Sequence, residues 1–335
     1  NESDGSQTTI GLHVDDLLVT GKQRSLDRFK EYLNSVYPKT TSHTGTKLDY
    51  IGMTFDWSER GRVRVTMSNC ESDILLGSGV DGKKPTPATA SLFDSKQAEA
   101  ATDAEAKWFH SNVAKLLYLS KRVRPECLVA VSYLCTRVHV CNKDDVAKLT
   151  RVIEYLRASK GRGILLEVGS RVEVSTQIDA SYGVHSDTGK SHTGCSVTLG
   201  AGGPIFVKSS KQKIVAKSST EAELVGLSDS VSQSMYVRNF LTSQGYVMGP
   251  VVVYQDNMSC MALVKRGRPG SDASRHINIR FFWMKEKVDE GIVTIVHRGT
   301  KKMWANMLTK PVQGSQFAVE RRGLTNWEEP WSEPI

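Results

Sequence analysis

The sequence predicts an α/β protein whose C-terminal half is a mixed β-sheet with helices on its faces. From about residue 164, strand-like runs alternate with turn residues: "ILLEV", "RVEVSTQIDAS", "GCSVTLG" and "PIFVKSS". A long helical pattern follows, "SSTEAELVGLSDSVSQSMYVRNFLTSQG", which opens with serines that can cap a helix. The next run, "PVVVYQDN", is continuously apolar, as buried strands are. This order of strands and helices implies a mixed sheet.

The composition describes a globular chain. Its 335 residues are enough for two to three domains, and 39% apolar with 24% charged residues is typical of folded proteins. A net charge of +8 and a pI near 9.1 favour polyanionic partners mildly. Six cysteines without a paired framework favour a reducing compartment, and no apolar run approaches the ~20 residues of a membrane span, so no membrane partner is expected.

The first 100 residues predict a hairpin, a helix, two strands and a linker. In "TTIGLHVDDLLVTG" the adjacent Asp15 and Asp16 turn the chain between two apolar strands, and "SLDRFKEYLNSVY" has helical spacing. The segment "LDYIGMTFDWSERGRVRVTMS" predicts two strands joined at "SERG". "GSGVDGKKPTPATASLFDSKQAEAATDAE" is rich in Gly, Pro, Ala and Ser, which predicts a linker.

Helices dominate the middle of the chain. Three runs have helical periodicity, "WFHSNVAKLLYLSKRV", "PECLVAVSYLCTRVHV" and "DDVAKLTRVIEYLRAS", and "KGRG" ends the group. Beyond the buried strand we expect helices at "MSCMALVKRG" and "HINIRFFWMKEKVDEG", a strand at "IVTIVHRG" and a helix at "KMWANMLTK". Cys135, His139 and Cys141 have irregular spacing, which favours buried thiols over a zinc site.

Three acidic residues of the C-terminal half lie at the ends of these elements. Asp179 is in or just after the strand "VEVSTQID", Glu223 or its neighbour Glu221 is in the first turn of the long helix, and Asp256 follows "VVVYQ". Carboxylates at such positions can converge in one crevice of an α/β sheet. Because clustered carboxylates repel one another unless cations neutralise them, the set predicts a site for Mg²⁺ or Mn²⁺.

Two of these acids also have a purely structural interpretation. Glu221 fits a capping box with Ser218, and Asp256, which precedes Asn257, could cap the next helix. The sequence leaves these alternatives open.

Several motifs together resemble one family, the C-terminal part of the Pol polyprotein of copia-type LTR retrotransposons. "SSTEAELVGLSD", "VYQDN" and "ANMLTKP" are similar to its ribonuclease H domain, and "DASYGVHSDTGKSHTG" is similar to the first strand and turn of that domain. "YIGM", "TPAT" and "LLYLSKRVRPECLVAVSYL" resemble its thumb and connection, and "HVDDLLVTG" resembles the polymerase palm hairpin. The motifs occur in the family's order and span nearly the whole chain.

The resemblance implies an order of domains. It predicts a truncated reverse-transcriptase palm hairpin and helix in 1–40, thumb-like strands and a linker in 41–90, a helical connection in 91–165, a ribonuclease H-like domain in 166–312 and a tail in 313–335. Polymerisation in this family also needs a further Asp and the fingers, which we expect upstream of Asn1. Asp15 and Asp16 are therefore interpreted as a polymerase relic whose partner is that upstream segment.

The resemblance also implies the roles of the acids. Asp179 would bridge two divalent cations, and Glu223 and Asp256 would each ligate one; Glu223 is preferred to Glu221 because "ELVG" matches the family's helix. The fourth acid falls at Asn306, where "WANMLTK" replaces the family's "AD" before "LTK". An amide carries no negative charge, so Asn306 is expected to weaken the second cation site. The alternative is that Asn306 only caps or packs.

The function implied is a ribonuclease H-type endonuclease that hydrolyses the RNA strand of an RNA–DNA hybrid with two metal ions, in cytoplasmic virus-like particles and/or the nucleus. The alternative is a nucleic-acid-binding remnant without catalysis. His297 is either a proton shuttle or structural. Candidate contacts to phosphates are the basic residues Lys208, Lys211, Lys213, Lys217, Arg266, Arg268, Arg275, His276 and Arg280.

Overall fold

The computed structural model of the chain describes residues 6–37, 39–169, 171–266 and 275–327, with the backbone alone for 275–278. Within these ranges the strands form a two-stranded hairpin, a four-stranded sheet and a five-stranded sheet. No helix in the same ranges combines the length and apolarity needed to cross a membrane.

The predicted N-terminal hairpin and helix are present. Strands β1 (Thr9–His13) and β2 (Asp16–Thr20) pair antiparallel, with His13 opposite Asp16, and α1 (Gln23–Val36) follows. Val14 and Asp15 therefore form the two-residue turn, and Asp16 begins β2 instead of sharing the turn. Val14 has φ 56°, a left-handed conformation that β-branched residues rarely adopt.

A four-stranded antiparallel sheet follows, with more strands than predicted. It contains β3 (Lys47–Tyr50), β4 (Met53–Asp56), β5 (Arg62–Thr66) and β6 (Ile164–Glu167). Ile51 and Gly52 have φ of 50° and 69°, so a tight turn divides "LDYIGMTFD" into two strands. The strand in "ILLEV" pairs with β5 and not with the C-terminal sheet. Periodicity marks a strand but does not identify its neighbour.

Four helices form the middle of the chain: α2 (Ser68–Ser78), α3 (Asp103–Arg122), α4 (Leu128–Cys135) and α5 (Lys143–Ala158). Capping boxes begin α3 and α5, while α4 ends earlier than the apolar pattern predicts. At their centre, the buried guanidinium of Arg124 pairs with Glu71 and Glu126. Removing one member of such a buried network costs about 3–5 kcal/mol.

The predicted linker is irregular but packed. Between Val80 and Thr102 the chain contains no named helix or strand. Leu92 and Phe93 of this segment are nevertheless buried in the same core as the four helices. The segment is therefore held against the protein body along part of its length.

The C-terminal sheet has the mixed character that the sequence predicts. Its strands are β7 (Val174–His185), β8 (Lys190–Leu199), β9 (Pro204–Lys211), β10 (Val251–Gln255) and β11 (Val293–His297), in the order β11-β10-β7-β8-β9. The first three are antiparallel, and β10 is parallel to both β7 and β11. Helix α6 (Ser219–Ser243) packs on β7 and β8, and α7 (Met258–Arg266) and α8 (Arg275–Asp289) pack against α6.

Two elements near the C-terminus differ from the prediction. The expected helix in "KMWANMLTK" is a 3₁₀ turn, Trp304–Leu308, and the predicted tail contains α9 (Gly314–Thr325). The turn lies so close to β8 that a Cβ at Gly194 would come 2.7 Å from Leu308 and 2.9 Å from the Ala305 carbonyl. Phe317 and Leu324 of α9 join the helical core, so this segment is packed. The domain limits themselves stay a prediction.

Candidate metal centre

The three acids singled out in the sequence lie together. Asp179 is in β7, Glu223 is near the start of α6, and Asp256 directly follows β10. Each offers one carboxylate oxygen, and these oxygens lie within 4.8 Å of one another. Asp179 and Glu223 are buried, and Asp256 is half-buried. Among the residues that the structure describes, these three form the one group of acidic, His or Cys side chains close enough together to hold a metal ion.

Strand register explains why two of the acids meet. In the parallel pair of β10 and β7, Tyr254 lies opposite Gln177. Asp256 and Asp179 each follow two residues later, so they come level at the same edge of the sheet. Asp179 is therefore not at the end of its strand, as the sequence suggested, because β7 continues to His185.

Helix α6 brings the third acid to the same edge. Ser218 caps the helix, since its Oγ accepts a 3.2 Å hydrogen bond from the Glu221 N–H. A Cβ at Gly226 would lie 3.4 Å from the Thr193 side chain and 3.5 Å from the Ile178 side chain, in ordinary van der Waals contact, so this part of the helix packs directly on the sheet. Glu223, which precedes this contact by about one turn, is thereby directed at β7.

The capping roles considered for the acids belong to side chains outside the cluster, Glu221 and Asn257. Glu221 is bound by the helix start, where its Oε2 accepts a 2.7 Å hydrogen bond from the Lys217 N–H, and it does not reach the cluster. This contact replaces the second half of the expected capping box, in which Glu221 would bond to Ser218 itself. Asn257, and not Asp256, caps α7, because its Oδ1 accepts a 2.9 Å hydrogen bond from the Cys260 N–H. The capping role considered for Asp256 is therefore wrong.

The cluster has the electrostatics of a cation site. Burial, and then the charge of Asp179, raise the pKa of Glu223 to about 8, although Gln255 Nε2 donates a 3.2 Å hydrogen bond to its carboxylate. A carboxyl group with a pKa of about 8 is largely protonated at neutral pH unless a cation is close. Three oxygen donors held near one another against this repulsion are ligands that suit Mg²⁺ or Mn²⁺.

Asn306 lies beside the cluster and is fixed at both ends of its amide. Its Nδ2 donates a 2.9 Å hydrogen bond to the Thr300 carbonyl, and its Oδ1 accepts one of 2.9 Å from Lys310 Nζ. The same ammonium lies 3.3 Å from Asp179 Oδ2. The position predicted for the fourth acid is therefore one side chain away from Asp179.

Sequence reasoning missed the polar groups that hold the acids. Thr300 Oγ1 donates a 2.8 Å hydrogen bond to Asp256 Oδ2, and the buried Thr309 hydroxyl donates to Asp179 Oδ2. Lys310 and Gln255 complete this set. The motif "LTK" contained two of these residues, but nothing in the spacing indicates which side chains face the sheet.

The predicted basic residues differ in availability. Lys208 donates to the Asp229 carbonyl at 3.1 Å, Lys211 pairs with Asp187 at 3.1 Å, and Arg280 pairs with Asp229. Lys213 and Lys217 are exposed, and neither makes an ion pair with a side chain that the structure describes. Arg266 is exposed at the end of α7. Arg268 and the side chains of Arg275 and His276 lie outside the described residues.

The remaining candidates occupy other places. His297 is exposed at the end of β11, opposite Gln255, and so lies one strand from Asp256. Asp15 and Asp16 are exposed at the tip of the N-terminal hairpin and are not part of the acidic group.

Known proteins similar to this chain include transposon polyproteins. It is 27% identical over 309 residues to the retrovirus-related Pol polyprotein from transposon RE2 of Arabidopsis thaliana, covering 91% of the chain and 21% of the relative. It is 28% identical over 318 residues to that from transposon TNT 1-94 of Nicotiana tabacum, covering 92% of the chain and 24% of the relative. The chain thus spans about a quarter or less of the length of these relatives. No family model matches it.

A solved structure shares the overall fold. The foamy viral protease-reverse transcriptase in complex with RNA/DNA hybrid superposes with a TM-score of 0.52 over 97% of this chain and 38% of the viral chain, at 12% identity. Identity this low concerns the fold alone. The homologues of the chain are retrovirus-related Pol polyproteins of transposons, which confirms the resemblance carried by its motifs, and the predicted α/β fold class is confirmed as well.

Proposed function

We propose, on the premise of this homology to transposon Pol polyproteins, that the chain supplies a ribonuclease H-type activity, hydrolysis of the RNA strand of an RNA–DNA hybrid. The observation that carries the proposal is the convergence of Asp179, Glu223 and Asp256 within 4.8 Å. These residues would hold divalent cations, Mg²⁺ or Mn²⁺. Two such ions would supply an activated water and charge stabilisation at the leaving oxygen.

The surrounding side chains orient the carboxylates for this task. Thr309 holds Asp179, Gln255 holds Glu223, and Thr300 holds Asp256. Hydrogen bonds of this kind limit the rotation of a ligand and increase its affinity for a cation. One carboxylate oxygen of each acid lies within 4.8 Å of the other two.

The hybrid would be bound through its backbone. Of the four lysines predicted to contact phosphates, Lys213 and Lys217 are exposed and available, and Lys217 directly precedes the cap of α6. The N-terminus of this helix adds N–H donors and a positive dipole end next to the acids. In the whole polyprotein, Asp15 and Asp16 would act with an upstream polymerase segment, in cytoplasmic virus-like particles and/or the nucleus.

A second candidate function is binding of nucleic acid without cleavage. Asn306 favours it, because the fourth position of the site provides an amide that is already bonded to Thr300 and Lys310. An uncharged residue there contributes less to a second cation than a carboxylate would.

Cleavage of a labelled RNA–DNA hybrid in Mg²⁺ or Mn²⁺ tests both candidates. We expect weak cutting by the natural chain, none by Asp179→Asn, and a gain of about tenfold or more in Asn306→Asp. Asp81→Asn, the same chemical change at an exposed side chain remote from the acids, is the control and is expected to cut like the natural chain.

The outcomes separate the candidates. Strong cutting by the natural chain with no gain in Asn306→Asp would contradict an impaired site. Salt-sensitive binding of the hybrid without cutting by any variant would establish the binding function instead.

A further inference from the structure

The Asp179 carboxylate is already occupied by protein groups. The Thr309 hydroxyl donates to Oδ2, and Lys310 Nζ lies 3.3 Å from Oδ2 and 3.4 Å from Oδ1. Both oxygens that a bridging ligand would offer to cations therefore face an ammonium group. A cation bound at Asp179 would meet the positive charge of Lys310 at close range.

Lys310 is the ion-pair partner of Asp179 within the cluster. Among the side chains that the structure describes, it makes the one ion pair with Asp179, and neither Glu223 nor Asp256 has an ion pair of its own. A single ammonium group thus pairs with one of the three acidic side chains. The site keeps an excess of negative charge that can attract a divalent cation.

Asn306 directs the ammonium toward Asp179. Its Nδ2 is committed to the Thr300 carbonyl, so its Oδ1 must face Lys310. The amide oxygen of Asn306 orients the Lys310 ammonium but carries no negative charge. Asp179 is therefore the charged group that attracts this ammonium. A carboxylate at this position would share the ammonium and weaken its hold on Asp179.

The two groups that hold Asp179 differ in their freedom to leave. Thr309 is fully buried, whereas the Lys310 side chain is 46% exposed and the Asp179 side chain is 2% exposed. Lys310 can therefore swing into water without a desolvation cost, but Asp179 cannot follow it. The arrangement allows exchange of one cation for another at a fixed carboxylate.

We propose that the Lys310 ammonium is a built-in counter-ion of this acidic cluster, which a divalent cation must displace from Asp179 before the three carboxylates can hold it. The inference rests on the proposed function in one respect, that the cluster binds divalent cations. It assigns to Lys310 control over cation affinity, and it makes Asn306 the residue that directs this control.

Binding of Mn²⁺ alone to the full chain, followed by calorimetry and electron paramagnetic resonance, tests the inference without any substrate. We expect Lys310→Gln to bind Mn²⁺ about threefold to tenfold more tightly than the natural chain, because a partly exposed ion pair contributes up to about 1 kcal/mol and a neighbouring like charge is also removed. Lys302→Gln, the same charge change at an exposed residue beside Thr300, should alter the affinity less than twofold.

A second variant and a second measurement complete the test. Asn306→Asp draws Lys310 away from Asp179 and should also increase the affinity. In EDTA, Lys310→Gln should lower the Tm of the metal-free chain, because the cluster loses its counter-ion, and Mn²⁺ should raise the Tm of this variant more than that of the natural chain.

Equal affinities for Lys310→Gln and Lys302→Gln, or weaker binding by Lys310→Gln, would overturn the inference while leaving cation binding intact. Absence of Mn²⁺ binding to every protein would overturn the proposed function together with the inference. Failure of hybrid cleavage despite the expected Mn²⁺ affinities would remove only the hydrolytic activity.

Discussion

Thr300 Oγ1 donates a 2.8 Å hydrogen bond to Asp256 Oδ2, and the carbonyl of the same residue accepts a hydrogen bond from Asn306. Thr300, which lies in the segment that follows β11, thus connects Asp256 to the 3₁₀ turn beside Asp179. Thr300 positions two parts of the cluster without being acidic itself.

Replacing Thr300 should weaken cation binding without unfolding the chain. Thr300→Val removes the hydroxyl and leaves the carbonyl, so Asp256 becomes free to rotate. Loss of a hydrogen bond worth about 1 kcal/mol corresponds to a loss of about fivefold in Mn²⁺ affinity. Calorimetry measures this loss, and Thr300→Ser, which retains the hydroxyl, is the matched control. Equal affinity of the Val and Ser variants would show that the hydrogen bond does not position Asp256.

Part of this site could be predicted because acids at element ends follow from sequence periodicity. The helix start in "SSTEAEL" and the end of the apolar run "VVVYQ" predict acids at the ends of elements, and the structure has Glu223 near the start of α6 and Asp256 directly after β10. The sequence predicts Asp179 in or just after its strand, and the structure places it within β7, which continues for six more residues, to His185. Register with β10, not the end of a strand, brings it to the site.

The unpredicted parts depend on contacts between distant residues. Strand β6 joins the four-stranded sheet through Val65 and Ile164, and a strand pattern contains no information on such a partner. Lys310 faces Asp179 because a 3₁₀ turn replaces the expected helix in "KMWANMLTK". Close packing of that turn against Gly194 sets its shape, and sequence periodicity cannot report this contact.

Metal-free protein should gain stability when Glu223 loses its charge. Burial and Asp179 raise the pKa of Glu223 to about 8 from an ordinary 4.5, so between these pH values the folded state binds more protons than the unfolded state, and stability falls as pH rises. Glu223→Gln removes this loss. In EDTA we expect its Tm to exceed that of the natural chain by about 1–2 °C at pH 8, the shift that about 1 kcal/mol produces in a chain of this length, and by less at pH 5.

Glu221→Gln is the control for this experiment, since Glu221 lies two residues away and outside the cluster. Removal of the Glu221 charge should not raise the Tm at pH 8. Mn²⁺ should reverse the order, stabilising the natural chain more than Glu223→Gln. A Tm difference that is the same at pH 5 and pH 8 would argue against the raised pKa.

Two buried histidines should make the chain less stable in acid. The Ser209 hydroxyl donates its proton to the Leu308 carbonyl, so His192 Nε2 must donate to Ser209, and His192 Nδ1 must accept from His185 Nε2 at 3.0 Å. His185 Nδ1 is then unprotonated, and among the described residues it has no hydrogen-bond partner. Both imidazoles are therefore neutral in the folded chain.

Burial first, and then Lys211, lower the pKa of His185 to about 4, and burial with the neighbouring His185 lowers the pKa of His192 to about 3. Below about pH 6.5 the two histidines are protonated in the unfolded chain but stay neutral in the folded chain. The free energy of unfolding therefore decreases as the pH falls toward 4, by up to about 1.4 kcal/mol per pH unit for each histidine. His185→Gln retains an N–H donor and should reduce this slope. Urea unfolding at pH 7 and pH 5 measures it, with the exposed His13→Gln as control; equal slopes in the two variants would contradict the prediction.

Lys213 and Lys217 should contribute to the salt dependence of hybrid binding. Both ammonium groups are exposed near the start of α6, whereas Lys208 and Lys211 are bound within the protein. Each phosphate that a lysine neutralises changes the slope of log affinity against log salt by about 0.9. The double variant Lys213→Gln with Lys217→Gln should therefore bind an RNA–DNA hybrid more weakly, with a slope reduced by about 1–2, in titrations from low to moderate salt without divalent ions.

The matched control removes the same charge from Lys83 and Lys84, which are exposed in the irregular segment before α3. General attraction of a basic chain for a polyanion would lower the affinity of both double variants equally and leave their slopes alike. A lower slope confined to the Lys213 and Lys217 variant requires direct contact, because only counterions released from contacted phosphates enter the slope. The side of α6 that carries Glu223 would then be the side on which the hybrid lies.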